Sequence, residues 1–138
     1  MRNTMKGFTL IELLVVLIIL GLVASIAGPN VMKYLGSSKA KTAKIQIKEI
    51  EASLELFYLD TGKYPPTNVG LVALVKNDGF SGWSGPYFKK GYVPEDPWGN
   101  SYQYSSPGDH GPYDLLSLGG DNQPGGEGDE KDITNWER

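Results

Sequence analysis

Apolar side chains follow three regimes along this chain. From Phe8 to Ala27 they are nearly continuous: twenty residues, mostly Leu, Ile, Val and Ala, hold a single charge, Glu12. In a helix, twenty such residues match the roughly 30 Å hydrocarbon thickness of a bilayer. At Gly28-Pro29 the proline removes a backbone bond, which predicts an interruption or kink. Beyond it Ala43, Ile47, Ile50, Leu54 and Phe57 recur at steps of four and three. That period places them on one face of an amphipathic helix, extending to about Asp60 and stopped by Thr61-Gly62. After residue 62 no long period survives.

The later elements are short. Pro and Gly make residues 63–70 a loop. Leu71-Val-Ala-Leu-Val75 suits a helix of one or two turns or a strand, and is taken as helix. Residues 77–100 are dense in Gly and Pro, with rings at Phe80, Trp83, Tyr87, Phe88, Tyr92 and Trp98 that would fasten an irregular loop to a domain. Asp96-Pro-Trp-Gly-Asn100 reads as a turn. Residues 101–105 and 113–118 alternate as antiparallel strands joined by the loop 106–112. The expected fold class is α+β, one long N-terminal α-helix packed on a small antiparallel β-sheet. The expected segments are 1–7, 8–29, 30–60 and 61–138: a polar leader, an apolar helix, its amphipathic continuation and a globular domain.

Of 138 residues, about 110 follow the apolar run, enough for one small domain. There is no Cys, and Gly 18 with Pro 9 favour loops, so a constraint other than disulfides is expected. The net charge of −3 hides an uneven distribution. Lys33, Lys39, Lys41, Lys44 and Lys48 are uninterrupted by acids, whereas residues 109–138 hold eight acids against Lys131 and Arg138. The lysines read as a solvated helix face, or as partners for acidic neighbours or anionic headgroups. Neither block argues for nucleic acid. Enzyme chemistry is poorly supplied: His110 is the sole His, in a turn-like Gly-Asp-His-Gly-Pro context, and Gly125 to Gly128 lack the Lys-Ser/Thr ending of a phosphate loop. No catalytic residue is expected.

Glu12 is the first candidate for chemistry. An ionised carboxylate in lipid costs about 2.5–3.5 kcal/mol on insertion scales, so it needs a cation. Lys6 is one candidate. Another arises if the leader is clipped after Gly7, because the new amine of Phe8 stands four residues from Glu12 on one helix face. The amine could also belong to the next copy, which would make the pair a register device for assembly.

The second candidate lies near the C-terminus, where Asp121, Glu127, Asp129 and Asp132 fall in a Gly-rich loop after a strand. Massed carboxylates repel unless a hard cation sits among them, and Ca2+ takes six to eight oxygens from carboxylates and carbonyls. An EF-hand register starting at Asp121 fails at Gln123 and Gly125. A β-roll nonapeptide fits Gly125 to Asp129 only once, and that architecture needs stacked repeats. A disordered acidic tail is the alternative.

Lys6-Gly-Phe-Thr-Leu-Ile-Glu12 and the run through Ser25 resemble the class III signal of type IV prepilins and type II secretion pseudopilins. The resemblance implies that a prepilin peptidase cuts between Gly7 and Phe8 and N-methylates Phe8, and that Glu12 is the assembly residue. Tyr64-Pro65, Gly70 to Leu74, Asp96-Pro-Trp-Gly99, Ser117-Leu-Gly119 with Asp121, and Asp132-Ile133 with Trp136 are similar to the major pseudopilins of type II secretion, over nearly the whole chain. This implies a type IV pilin-like fold whose C-terminal loop holds Ca2+. Asp121 and Asp132 match the ligand positions, carbonyls near Leu116 and Ser117 contribute, and Glu127 or Asp129 completes the set.

The implied role is the major structural subunit of a periplasmic pseudopilus that helps drive folded exoproteins through an outer-membrane channel. The implied partners are further copies of the chain, minor pseudopilins, the prepilin peptidase, an inner-membrane assembly platform and inner-membrane lipid. The alternative is a type IV pilin of a surface fibre for adhesion, motility or DNA uptake. Lys and Arg counts (Arg2 and Lys6 before the run, Lys33, Lys39, Lys41 and Lys44 after it) would by themselves leave the C-terminal part in the cytoplasm. The resemblance overrules them, giving a single-pass inner-membrane protein with a periplasmic domain.

Overall fold

The computed structural model describes residues 7–137, so the expected leader lies outside the described residues except for Gly7. Helix α1 runs Leu10–Thr61 and includes Pro29. The interruption expected at Gly28-Pro29 is therefore corrected, since the helical assignment passes through it. Proline deletes only one bond of the ladder, and helical turns on both sides hold the segment. The helix ends where the period predicts. Gly62 has φ +77° and its N–H donates to the Tyr58 carbonyl at 2.8 Å. That left-handed conformation is open to glycine without a Cβ penalty and closes the last turn.

The chain divides into two compact units, one ending at Leu35 and the next beginning at Gly36. In the first, the apolar side chains from Leu10 to Leu35 are exposed. The second unit takes the outer part of α1 as well as everything after it. Its core is built on the face that the sequence period marks: Ala43, Ile47, Ile50, Leu54 and Phe57 are buried against Leu71, Ala73, Leu74, Tyr102, Tyr113, Leu115 and Ile133.

The stretch Gly70–Leu74 forms a 3-10 helix and presents Leu71, Ala73 and Leu74 to that core. Strands β1 (Gln103–Ser105) and β2 (Asp114–Ser117) pair antiparallel, with Tyr104 opposite Leu115. A third strand, β3 (Ile133–Thr134), pairs antiparallel with the other edge of β2, Ser117 opposite Ile133. The sheet thus has three strands in the order β1-β2-β3, not the two that alternation predicts. β3 spans two residues, too few to show a period.

Residues 77–100 stay irregular and are fastened by rings as expected. Phe57 meets Phe80 edge-on at 5.0 Å and Tyr87 at 5.8 Å. The Trp83 indole donates to the Ala73 carbonyl at 2.7 Å, and Tyr87 OH donates to Asp60 at 2.7 Å. These contacts close the loop over the end of α1.

Phe57→Ala should cost about 3–5 kcal/mol, the range for deleting a buried ring. Denaturant unfolding of the full chain in detergent, followed by Trp fluorescence, measures it. A loss below about 1 kcal/mol would show that the aromatic loop is not held by this ring.

Candidate functional site

At the N-terminal end, Gly7 and Phe8 are exposed and precede the first helical residue. Thr9 is the helix cap. Its N–H donates to Glu12 Oε2 at 2.8 Å and its hydroxyl to the same oxygen at 2.9 Å, while the Glu12 N–H donates to Thr9 Oγ1 at 3.3 Å. This is the reciprocal arrangement of a Thr-x-x-Glu capping box. That spacing is readable in the sequence. The acid is thus satisfied by neutral donors of its own chain, at the positive end of the helix dipole. Lys6 lies outside the described residues.

At the other end, the loop between β2 and β3 is folded on itself. Gly120 N–H donates to the Asp129 carbonyl at 2.9 Å, Asp132 N–H to the Gly125 carbonyl at 3.1 Å, and Gly125 N–H to Asp132 Oδ2 at 2.9 Å. Gly119, at φ +68°, lies so close to the returning arm of the loop that a Cβ there would stand 2.7 Å from the Glu130 carbonyl oxygen. A side chain would push the two arms of the loop apart.

The predicted ligand residues are spread over this loop. Leu116 and Ser117 end β2. Asp121 accepts from its own loop, from Gln123 N–H at 3.1 Å. Glu127 is exposed at the start of a short 3-10 turn, Gly128–Glu130. The Asp129 carboxylate packs on helix α1 at Gly36, where a Cβ would stand 2.7 Å from its Oδ1. Among the described residues no three Asp, Glu or His side chains converge on one point. One ligand candidate nevertheless stands out, because Asp132 Oδ1 is buried and, among the described residues, has no hydrogen-bond partner. A buried carboxylate oxygen without a donor calls for a cation or an ordered water.

Comparison with known proteins decides the family. The family described as type II secretion system (T2SS), protein G matches residues 30–136, and the prokaryotic N-terminal methylation motif matches residues 2–28. The chain belongs to the type II secretion protein G family. It is 45% identical to the type II secretion system core protein G of Pseudomonas aeruginosa, covering 99% of this chain and 98% of the relative. For the core protein G of Escherichia coli K12 the identity is 44%, covering 99% and 95%. The fold is similar to the crystal structure of the major pseudopilin from the type 2 secretion system of enterohaemorrhagic Escherichia coli, with TM-score 0.65 and 31% identity over 78% of this chain and 95% of that one.

Protein G chains form a family of pseudopilins rather than a known family of enzymes, and the surface-fibre alternative is not favoured. The exposed apolar part of α1 and the methylation motif fit membrane anchoring in a secretion system.

In this protein G chain the sole His is also more than a surface turn residue. His110 Nδ1 lies 2.9 Å from Asp114 Oδ2, and its ring stacks on Trp136 at 4.0 Å with 3° between the planes. Asp114 also accepts from the backbone N–H groups of Asp109 and His110, both at 3.1 Å. The cluster pins the β1–β2 loop to the chain's end. Sequence gave no sign of it, because His110 and Trp136 are far apart along the chain.

Burial pushes the Asp114 carboxyl up, but the hydrogen bonds from the His110 side chain and from the two backbone groups outweigh it and hold it below its ordinary 3.8. A depressed carboxyl contributes stability that is fully present above its unfolded value and is lost as pH falls through the folded one. Asp114→Asn should therefore lower the melting midpoint near neutral pH, and its gap to the wild type should shrink as pH drops below 3.8. Melts across an acid series check this; a gap that persists undiminished in strong acid would place the effect elsewhere.

Proposed function

We propose that this chain is the major structural subunit of a type II secretion pseudopilus. It is made as a prepilin-like precursor, held in the inner membrane by the apolar part of α1, with its globular unit in the periplasm. A prepilin peptidase cuts between Gly7 and Phe8 and N-methylates Phe8. Copies then polymerise, with minor pseudopilins and an inner-membrane platform as partners, and the growing filament helps move folded exoproteins through an outer-membrane channel. The observation that carries this reading is a long run of exposed apolar side chains on α1 with one acid, Glu12, in its first turn. Such a face needs lipid or other copies of itself to cover it.

Cleavage changes the surroundings of Glu12. It puts an amine on Phe8, one residue before the Thr9 cap, so that a positive charge competes with the hydroxyl for the carboxylate. The same amine on a neighbouring copy offers an intermolecular partner. A charge pair formed in an apolar layer is costly to break by removing one member, which suits a contact that sets subunit register. Glu12→Ala should abolish filaments seen by electron microscopy and leave membrane insertion intact. Filaments of normal length and number would remove Glu12 from assembly.

The C-terminal loop is read as a Ca2+ site. Asp132 and Asp121, carbonyls near Leu116 and Ser117, and one of Glu127 and Asp129 would hold the ion. Its contribution is cohesion, a hard cation tying oxygens from both arms of a loop in a chain without disulfides. The free buried oxygen of Asp132 supports this reading. The placement of Asp129 on Gly36 favours Glu127 as the carboxylate free to swing in. Adding EGTA to the full chain in detergent should lower the melting midpoint by several degrees, and Ca2+ should restore it. An unchanged midpoint would discard the ion.

A further inference from the structure

Two buried side-chain atoms lack a hydrogen-bond partner among the described residues, and they are of opposite kind: Asp132 Oδ1, an acceptor, and Trp98 Nε1, a donor. Both border the same loop. The indole edge of Trp98 covers Gly120, with Nε1 3.2 Å and Cδ1 3.3 Å from where a Cβ on that glycine would stand. Asp132 holds the other arm through its bond from Gly125 N–H, 2.9 Å.

Trp98 is itself held firmly. Asp96, almost fully buried, accepts from Trp98 N–H at 3.1 Å and Asn100 N–H at 2.8 Å through one oxygen. Its other oxygen accepts from the Ser117 hydroxyl at 2.6 Å, and Ser117 Oγ in turn accepts from Gly119 N–H at 3.2 Å. One chain of bonds thus joins the Asp96 to Asn100 turn to the entry of the acidic loop.

A bare cation satisfies the free oxygen of Asp132 and leaves the indole N–H unmet. An ion that kept part of its water shell would also offer the indole the acceptor that it lacks. We propose that Trp98, fixed by Asp96, is a positioning residue of the ion loop, its indole N–H orienting a water carried by the bound cation. This rests on the Ca2+ reading above.

Trp98→Phe keeps a ring over Gly120 and removes only the N–H. In the full chain in detergent, Ca2+ affinity from chelator competition should weaken on the order of tenfold or more, the usual effect of losing a group that supports metal ligands. The melting midpoint in EGTA should stay at the wild-type value, a split that a purely structural ring would not produce. Unchanged affinity in Trp98→Phe overturns the proposal, as does an equal drop of the midpoint with and without Ca2+. Wild-type binding alongside an unaffected Trp98→Phe sinks this inference alone. A wild-type chain that takes up no Ca2+ sinks the ion reading with it.

Discussion

The outer face of α1 is the constraint on which the globular unit depends. Its three strands have three, four and two residues, too little sheet to be stable alone. Ala43, Ile47, Ile50, Leu54 and Phe57 provide an apolar strip, and the 3-10 turn, the aromatic loop and β2 each bury their apolar side against it. The hydrophobic effect therefore acts between one long element and many short ones. Any short piece is ordered only while the strip is there.

Loops closed by hydrophobic contact alone would slide, and the chain has no disulfide to stop them. Polar cross-links do this instead. Leu115 and Asn135 exchange two hydrogen bonds, each 2.9 Å, that tie the chain's end to the central strand. Thr67 and Ser106 pair similarly across the β1 end of the sheet. Asp96 bolts its turn to β2, and His110 with Trp136 covers the opposite loop. Such bonds contribute on the order of 1 kcal/mol net apiece. They fix geometry more than they supply stability.

One helix serves two solvents. In the first unit its apolar side chains lie open, with Glu12 folded back on Thr9, and in the second its apolar face is closed by the chain's own loops. A subunit of this kind keeps its association surface separate from its folding core. Membership of the protein G family gives that division its purpose, since a filament needs sticky cores and self-contained outer domains.

Much of this was legible beforehand. The apolar run, the face from Ala43 to Phe57, the stop at Gly62, the Asp96 turn, two of the strands and the Gly7-Phe8 motif are local patterns, written in spacing and residue type. The period could not reveal β3, because two residues inside an acidic stretch acquire strand character only from pairing with β2. Nor could it show that the helix passes Pro29, since the effect of one lost bond depends on the turns around it. The acidic loop was found by composition, but composition treats four carboxylates alike. Only folding set Asp129 on Gly36, left Glu127 in solvent, buried one oxygen of Asp132 and laid the Trp98 indole over Gly120. Sequence by itself determined which segments are helical, apolar or acidic, because those properties belong to neighbouring residues. Tertiary structure alone decided which acids face inward and which distant rings and strands meet, because those depend on chain closure over the helix.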